Sequence, residues 1–354
     1  MNLRKALQIL FLVLFSTGIC SAQNWVLEWA DEFDSTAIDT NKWSFQIGTG
    51  DGGLIGWGNN ELQYYTDRAE NARIEDSILI IEAIKESYGG NSSYTSARIR
   101  TSGKVDFQFG KITARMKLPK GQGIWPAFWM LPEKVNASWP ADGEIDIMEL
   151  VGHEPNTSHG TIHYGTPWPN NQFKGCPYVL PNGDFSEDFH EFAIVWEPNS
   201  IKWYVDETLF CSLNQYSVAP YTWPFNSHPF YILLNLAVGG NWPGNPDGTT
   251  IFPQRLEVDY IRYFKDSSTS SNNLIQAEDK FSFKVYQDLQ AQNFAIESGK
   301  KIQKVSLINM YGSTVREETP NSTRHLINTA GLSHGVYLLK ASYEGTDKIQ
   351  KIIF

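Results

Sequence analysis

Short alternating and apolar runs, separated by turn residues, are the main feature of the first two thirds of the chain. No run much longer than about ten residues keeps the period of an amphipathic helix, whereas many show the period of two that a half-buried strand produces. Gly, Pro, Asn and Asp separate the runs at close spacing. Examples are SILIIEAI, GKITARMKL, HEFAIVWE, IKWYVD, YILLNLAV and LEVDYIRYF. The pattern predicts an all-β domain, a β-jelly-roll sandwich of two sheets.

A Ser/Asn tract, DSSTSSNN, divides the chain and has the composition of a linker. We place the large domain at residues 23–265 and the linker at residues 266–274. Residues 275–354 carry strand patterns of their own, such as KVSLINMYG, GVYLLKASY and KIQKIIF. They predict a small C-terminal β-sandwich domain.

The N-terminal residues 1–22 have the pattern of a secretory signal peptide. Arg4 and Lys5 precede the apolar run ALQILFLVLF, and small residues follow it before Gln23. The run is short for a bilayer-spanning helix, so a retained anchor is the weaker alternative. We therefore expect export, with no membrane span after the signal is removed.

Cysteine count and charge narrow the function further. Removal of the signal leaves Cys176 and Cys211, and export permits a disulfide between them, although their spacing does not decide between a disulfide and two thiols.

The formal net charge is −10, and loss of the two basic signal residues makes it −12. This charge disfavours nucleic acid and anionic membrane surfaces as partners and suits a neutral substrate. The aromatic content of 14% fits either a large β core or stacking platforms for a ring-shaped ligand.

One segment, DGEIDIMEL at residues 142–150, places carboxylates along a strand that the pattern predicts to be half buried. Glu144 and Asp146 are two residues apart and share a face. Strict alternation would turn Glu149 to the opposite face, but one extra residue at Ile147–Met148, a β-bulge, would return it. We predict this bulge, which gathers three carboxylates on one face. The apolar residues predicted to face the core are Ile145 and Ile147.

Carboxylates held close together raise one another's pKa values. Retaining glycosidases use such a pair, in which one carboxylate is ionised to attack and the other is protonated to donate to the leaving oxygen. The two groups then lie about 5–5.5 Å apart, so the sheet must curve. The alternatives are a solvated strand face and a calcium site. Calcium loops usually present Asn, Gly and carbonyl oxygens in a turn, which disfavours calcium in this Ile/Met strand.

GEIDIME resembles the signature of glycoside hydrolase family 16, in the bulged form typical of laminarinases. The similarity extends in family order over roughly residues 25–264. Other matching segments are EWADEFD, WGNNELQYYTDRAENARIED, YTSARIRTSGK, GKITARMKLPKGQGIWPAFWMLP, HGTIHYG, LNLAVGGNWPG and LEVDYIRYF. The resemblance implies a jelly roll with a concave cleft, and hydrolysis with retention of configuration, as in endo-1,3-β-glucanases.

The resemblance also implies roles for individual residues. By matching position, Glu144 is the nucleophile and Glu149 the general acid/base, while Asp146 between them holds the charge and hydrogen bonding of the nucleophile. Trp125 and Trp129, four apart on one strand face, match residues that stack sugars, although core packing is their structural alternative. The further cleft positions that it implies are Asn60 and Arg98 for sugar hydroxyls, His163 beside the acids, and Trp242 at another subsite.

No cofactor for catalysis is expected, but the resemblance implies a structural calcium ion away from the cleft. The matching positions are Glu32, Ser77 and Asp259, where Asp259 would supply a carboxylate and the others backbone carbonyls. Ser77 stands where a glycine is common, which weakens this prediction. The segment PWPNNQFKGCPYVLPNGD, residues 167–184, is predicted to be a long loop near the cleft.

The C-terminal residues 275–354 resemble the sorting domain of the type IX secretion system, through KVSLINMYGSTV, LSHGVYLLKASYEG and KIQKIIF. This implies the secretion machinery as a partner and a secreted or cell-surface location. A small carbohydrate-binding module is the rival, and the absence of tryptophan from this region disfavours it.

Together these features predict a secreted, monomeric, retaining endo-β-1,3-glucanase whose partner is a laminarin-like or mixed-linkage β-glucan. A non-catalytic glucan-recognition protein is the rival from a different class, but such relatives usually lack one or both glutamates. Within the enzyme class, activity on lichenan, agarose or carrageenan stays open, and so does transglycosylation. Sulfated polymers fit the acidic chain poorly.

Overall fold

The computed structural model describes residues 23–90, 92–267, 283–288, 293–309, 313–329, 331–333, 336–343 and 346–353. The predicted signal peptide and residues 268–274 of the predicted linker lie outside these ranges. The chain forms two compact units that divide after residue 268. Among the described residues, no helix combines the length and the apolar character that crossing a membrane requires.

The first unit is built from strands joined by turns, with two short 3₁₀ segments, Ile55–Gly58 and Gln215–Val218. Its described strands are β1 (Trp25–Asp31), β2 (Ser44–Phe45), β3 (Gln63–Tyr65), β4 (Ala72–Glu75), β5 (Ile78–Ala83), β6 (Tyr94–Ser96), β7 (Arg98–Arg100), β8 (Gly110–Lys117), β9 (Ile124–Pro132), β10 (Glu144–Glu149), β11 (Thr157–Gly165), β12 (Asn171–Val179), β13 (His190–Glu197), β14 (Ser200–Val205), β15 (Thr208–Asn214), β16 (Phe230–Val238) and β17 (Gln254–Asp266).

Two antiparallel sheets make up the sandwich. The seven-stranded sheet has the order β12-β11-β10-β9-β16-β7-β2. The eight-stranded sheet has the order β15-β14-β13-β8-β17-β5-β4, and β1 pairs with β17. β3 and β6 form a small parallel pair. The predicted all-β jelly-roll class is confirmed.

Side-chain alternation explains how the two sheets share one core. In β11 every second residue is buried, so one face of the seven-stranded sheet packs inward and the other stays accessible. The core between the sheets includes Phe128 and Ile162 from this sheet, and Ile112 and Trp203 from the eight-stranded sheet. The accessible face is therefore free to carry polar and aromatic groups.

The segment predicted as a long loop contains a strand, so that prediction is wrong over Asn171–Val179. β12 pairs with β11 along its whole length and is the outermost strand of the seven-stranded sheet. Gly175 and Pro177 gave it the appearance of a loop. An edge strand tolerates both residues, because one side of its backbone has no ladder to complete.

A disulfide joins Cys176 in β12 to Cys211 in β15, with Cα atoms 5.7 Å apart. It settles the question that the spacing left open. The bond ties the outermost strand of one sheet to the outermost strand of the other. A loop of this length, 35 residues apart in sequence, stabilises the folded chain by about 4 kcal/mol in the chain-entropy account.

The second unit is also built from β-strands. Its described strands are β18 (Phe283–Asp288), β19 (Asn293–Ile302), β20 (Lys304–Asn309), β21 (Thr314–Glu318), β22 (Ser322–Asn328), β23 (Val336–Tyr343) and β24 (Thr346–Ile353). They form a three-stranded sheet, β18-β19-β22, and a four-stranded sheet, β21-β20-β23-β24. Both sheets contribute to one small apolar core, which includes Phe294, Ile327, Leu307 and Leu339.

Candidate active site

A β-bulge in β10 brings three carboxylates to the same face of the seven-stranded sheet. Between Asp146 and Glu149, β10 advances three residues while β11 advances two. The partners of the three acids on β11 are therefore alternate residues, which share a face. The pairs are Glu144 with His163, Asp146 with Thr161, and Glu149 with His159. The predicted bulge is confirmed, and so is the placement of Ile145 and Ile147 in the core; Met148 joins them there.

Trp203 of the opposite sheet supports the bulge from beneath. Its indole Nε1 donates a 2.8 Å hydrogen bond to the backbone carbonyl of Asp146, where the register shifts. Gly160 of β11 makes room for this ring, because a Cβ atom there would lie 2.4 Å from Trp203. A buried donor thus satisfies a backbone carbonyl at the irregular point of the strand.

Glu144 is held by two groups that favour its charged form. Trp139 Nε1 donates to Oε2 of the carboxylate at 2.9 Å, and His163 Nε2 lies 3.6 Å from Oε1. Burial and the neighbouring charge of Asp146 nevertheless raise the pKa of Glu144 to about 7. This carboxyl therefore changes its ionisation close to neutral pH.

Glu149 lies in surroundings that favour its protonated form. Burial is the main cause that raises its pKa well above the usual value, and the charges of Asp146 and Glu144 add to it. Trp125 Nε1 donates to Oε1 at 3.1 Å and opposes the shift. The surroundings of Glu149 therefore favour its protonated form.

His163 supplies positive charge among the three acids. Its Nε2 lies 3.3 Å from Asp146 Oδ2. Burial alone would lower the pKa of His163, but the charges of Glu144, Asp146 and Glu149 outweigh it and raise the pKa to about 10. The imidazolium is therefore charged at neutral pH, and it lowers the pKa of both glutamates.

The side chains of Glu144, Asp146 and His163 also lie close enough together to hold a cation, with one ligand atom from each within 4.8 Å of the others. The imidazole of this group already lies 3.3 Å from the Asp146 carboxylate and 3.6 Å from that of Glu144. The arrangement therefore fits an internal ion pair better than a metal centre.

An arginine and two tryptophans line the face next to the acids. Arg98 is buried, and its guanidinium lies between two indole rings, 4.5 Å from Trp57 and 4.8 Å from Trp129. Its Nε donates to Gln46 Oε1 at 2.7 Å. This stacked arrangement fixes the orientation of Trp129 on one side.

A chain of hydrogen bonds fixes Trp129 on the other side. Trp129 Nε1 donates to Asn235 at 2.7 Å, Asn235 donates to the Tyr65 hydroxyl at 3.2 Å, and Tyr65 donates to Glu61 at 3.3 Å. Gln63 Nε2 also donates to Glu61, at 2.7 Å. Burial raises the pKa of Glu61. We refer to Trp129, Asn235, Tyr65 and Glu61 as the tryptophan relay.

A second aromatic group lies at the Glu149 end. Trp125 meets Trp242 edge to face at 5.6 Å, and Trp242 meets His159 at 5.1 Å. Trp242 is 42% exposed, so part of its ring is available to a ligand. Asn60 joins this end through Asn241, its side-chain amide donating at 2.8 Å.

The structure thus brings the predicted catalytic and cleft residues to one sheet face and the loops beside it. Several contacting residues were not predicted from the sequence: Trp57, Glu61, Tyr65, Trp139, Trp203 and Asn235. Trp139 carried a usable signal, because its SWP segment lies only a few residues before the acidic strand. The relay residues carried none, since Asn235 and Tyr65 are 170 positions apart.

The three residues predicted to bind calcium belong to the eight-stranded sheet and its turns, and not to the sheet that carries the acids. Glu32 follows β1 and receives two 2.8 Å hydrogen bonds from Arg262. The carboxylate of Asp259, in β17, accepts from Arg115 at 2.7 Å. The single carboxylate that this site would offer is thus already paired with a guanidinium, so these residues fit a calcium ion poorly.

Comparison with known proteins supports a family assignment for the first unit and another for the tail. Residues 55–262 match the family of glycosyl hydrolases family 16. Residues 290–354 match a secretion system C-terminal sorting domain.

Individual relatives match over the same part of the chain. A beta-glucanase of Rhodothermus marinus is 43% identical over 69% of this chain and 86% of its own length. Glucan endo-1,3-beta-glucosidase A1 of Niallia circulans is 40% identical over 68% of this chain, which spans only 38% of that relative. The crystal structure of the laminarinase catalytic domain of Thermotoga maritima is 49% identical, with a TM-score of 0.65, and the match covers 69% of this chain and 99% of that one.

Proposed function

The chain belongs to glycoside hydrolase family 16, and from this we propose that it is a secreted, retaining endo-β-1,3-glucanase that hydrolyses laminarin-like or mixed-linkage β-glucans. The observation that carries the proposal is the pair of glutamates that the bulge turns to one face, where burial raises the pKa of both. The named activities of the relatives agree with it.

In the first step of the proposed reaction, the carboxylate of Glu144 attacks the anomeric carbon of the bound sugar. The protonated Glu149 donates its proton to the glycosidic oxygen as that bond breaks, and the leaving sugar departs with a new hydroxyl group. The product is a glycosyl ester on Glu144. Family 16 hydrolases need no cofactor for catalysis, so side chains supply all the acid and base chemistry.

In the second step, Glu149 has lost its proton and acts as the base. It removes a proton from a water molecule, the water oxygen attacks the anomeric carbon, and Glu144 is released as a carboxylate. Two inversions at the same carbon give overall retention. Asp146 and His163 position Glu144 and balance its charge during both steps.

The aromatic groups on the same face are suited to sugar rings. Trp125 and Trp129 present flat surfaces next to the acids, and the relay holds Trp129 in place. We assign Arg98, Asn60 and Trp242 to the same cleft, as groups that bind sugar hydroxyls or shape a subsite.

The tail supports delivery outside the cell. Its match to a secretion system C-terminal sorting domain indicates type IX secretion to the cell surface or the extracellular space. We propose that residues 1–22 act as the signal peptide for the first export step. The disulfide is consistent with an oxidising compartment.

A structural calcium ion is only a secondary proposal, because the Asp259 carboxylate that would bind it is paired with Arg115. If an ion binds at Glu32, Ser77 and Asp259, its effect is on stability. Thermal unfolding of the protein treated with EDTA, with and without added Ca²⁺, tests this directly. An unchanged unfolding temperature excludes the site.

The main experiment is release of reducing sugar from laminarin by the wild type and by Glu144→Gln. We expect loss of hydrolysis, with the fold retained, because the amide cannot attack the anomeric carbon. Glu70→Gln is the matched control, since Glu70 is exposed and remote from the acidic strand in sequence. Full activity of Glu144→Gln contradicts the assignment.

Two further measurements complete this test. ¹H NMR of the product formed first distinguishes retention from inversion. Product profiles on laminarin, lichenan and agarose give the linkage preference. Tight binding of laminarin by the wild type without any hydrolysis would favour a non-catalytic glucan-recognition protein.

A further inference from the structure

A lateral row of side chains runs from the acidic strand to the edge of the seven-stranded sheet. Glu144 pairs with His163 of β11, and His163 pairs with Phe173 of β12. Directly paired residues of adjacent strands share a face, so all three side chains lie on the face that carries the site. Adjacent strands are about 4.8 Å apart, so Phe173 lies about 10 Å across the sheet from Glu144, a span of about two sugar units.

Aromatic rings continue along this row. The ring of Trp139 lies 5.9 Å from that of His163, and the ring of Phe173 lies 5.8 Å from His163 on the other side. The two ring pairs have similar tilts, 37° and 34°. The site that begins at Glu144 therefore continues as an aromatic surface up to the edge strand.

Phe173 is 69% exposed, although it is one of the most apolar residue types. Single exposed apolar residues are common on protein surfaces, and exposure alone carries no function. Phe173 differs from such residues because it lies in the same row of side chains as Glu144. On an edge strand, an exposed ring also carries a risk of association, which favours a functional reason for its presence.

The strand that carries this ring is fixed to the framework. Cys176, three residues after Phe173, is bonded to Cys211 of the other sheet. Lys174 Nζ donates to the carbonyl of Ser217 at 3.2 Å. The chain that directly follows Phe173 thus has a defined place, and a fixed platform binds a ligand with less loss of conformational entropy.

We propose that Phe173 is a sugar-stacking platform at a distal subsite, which extends the glucan cleft to the edge of the seven-stranded sheet. The inference rests on the proposed function and names the part of the substrate that this edge contacts. Its occupant is a glucosyl unit about two positions from the bond that is cleaved. A disaccharide bound across the scissile bond does not reach it, whereas longer oligosaccharides do.

The test is binding of β-1,3-linked glucobiose and glucohexaose by isothermal titration calorimetry. Glu144→Gln serves as the background, so that the ligands are not hydrolysed. We expect Phe173→Ala to weaken glucohexaose binding about fivefold and glucobiose binding by less than about twofold, while Phe173→Trp keeps the binding of glucohexaose. Leu209→Ala removes a similarly exposed apolar side chain from β15 of the other sheet and should change neither affinity.

Two outcomes overturn the proposal. Unchanged glucohexaose binding by Phe173→Ala excludes the platform. Equal weakening for both ligands shows that the substitution disturbs His163 and the centre instead. The proposed function is tested separately, because a wild type that fails to hydrolyse laminarin can still show a length-dependent effect of Phe173 on binding.

Discussion

Trp125 and Glu149 are joined by a 3.1 Å hydrogen bond, in which the indole Nε1 donates to Oε1 of the carboxyl group. Glu144 has an equivalent partner in Trp139, at 2.9 Å. Each proposed catalytic carboxyl therefore has one indole N–H directed at it. An N–H donor stabilises the ionised carboxylate, so both indoles oppose the rise in pKa that burial causes.

Trp125→Phe removes the donor to Glu149 and keeps an aromatic ring. The pKa of Glu149 should then rise further, since the ionised form loses a hydrogen bond. Glu149 must be protonated to act as the acid, so the alkaline limb of kcat/KM against pH should move to higher pH. A limb that stays in place or moves to lower pH contradicts this role of Trp125.

His163→Gln and Asp146→Asn should shift the pH profile in opposite directions. The imidazolium lowers the pKa of Glu144, and the charge of Asp146 raises it. The acid limb of kcat/KM against pH reports the ionisation of Glu144. His163→Gln removes the cation and should move this limb to higher pH, whereas Asp146→Asn removes the anion and should move it to lower pH. Shifts in the same direction would show that the substitutions act through structure and not through charge.

Glu144→Gln should gain stability relative to the wild type as pH rises. Because the pKa of Glu144 rises on folding from 4.5 to about 7, its favourable contribution is complete below pH 4.5 and is lost as pH rises through 7. The variant should therefore gain at most about 3 kcal/mol relative to wild type between pH 4.5 and 8. Denaturant unfolding at both pH values, followed by tryptophan fluorescence, measures this in the first unit, since all 12 tryptophans precede residue 275. A relative gain at the lower pH would contradict it.

Tyr65→Phe should interrupt the tryptophan relay. Asn235 then has a buried amide without its acceptor, which costs about 1–3 kcal/mol of folding free energy. We expect KM for laminarin to rise more than kcat falls, because Trp129 loses part of its support. Tyr64→Phe, which removes the hydroxyl of the neighbouring residue in β3 outside the relay, is the control. Equal effects of the two substitutions would contradict a positioning role for Tyr65.

In the absence of reductant, the free energy of unfolding of the double variant Cys176→Ser, Cys211→Ser should be about 4 kcal/mol lower than that of the wild type. Addition of dithiothreitol should destabilise the wild type by a similar amount and leave the variant unchanged. Denaturant unfolding with the same fluorescence signal provides the measurement. A wild type that is insensitive to reductant under unfolding conditions would show that the disulfide contributes little.

The acidic strand shows how much of the fold and of the site could be predicted from the sequence. The period-two pattern predicted the sandwich, and the interrupted alternation in GEIDIME predicted the bulge, because both are local consequences of strand geometry. The edge strand Asn171–Val179 was missed, since its glycine and proline are typical of loops and only the absence of a neighbour on one side makes them acceptable.

Contacts between segments that are distant in the sequence could not be predicted from it either. Trp203 and the carbonyl of Asp146 are 57 residues apart, and nothing in either segment indicates the other. The choice between a disulfide and two thiols depended on how the two outer strands meet. Such pairings follow from the assembled sandwich and not from local composition.

The bulge in β10 also bears on how chain length can vary during evolution. Elsewhere in a sheet, insertion or deletion of one residue inverts every side chain that follows. Between Asp146 and Glu149, however, β10 already has one residue more than β11 requires. A lineage that lost Met148 would lose one buried core side chain but would keep Glu149 on its present face, so this is the position in the strand at which an in-frame codon deletion leaves the three carboxylates together.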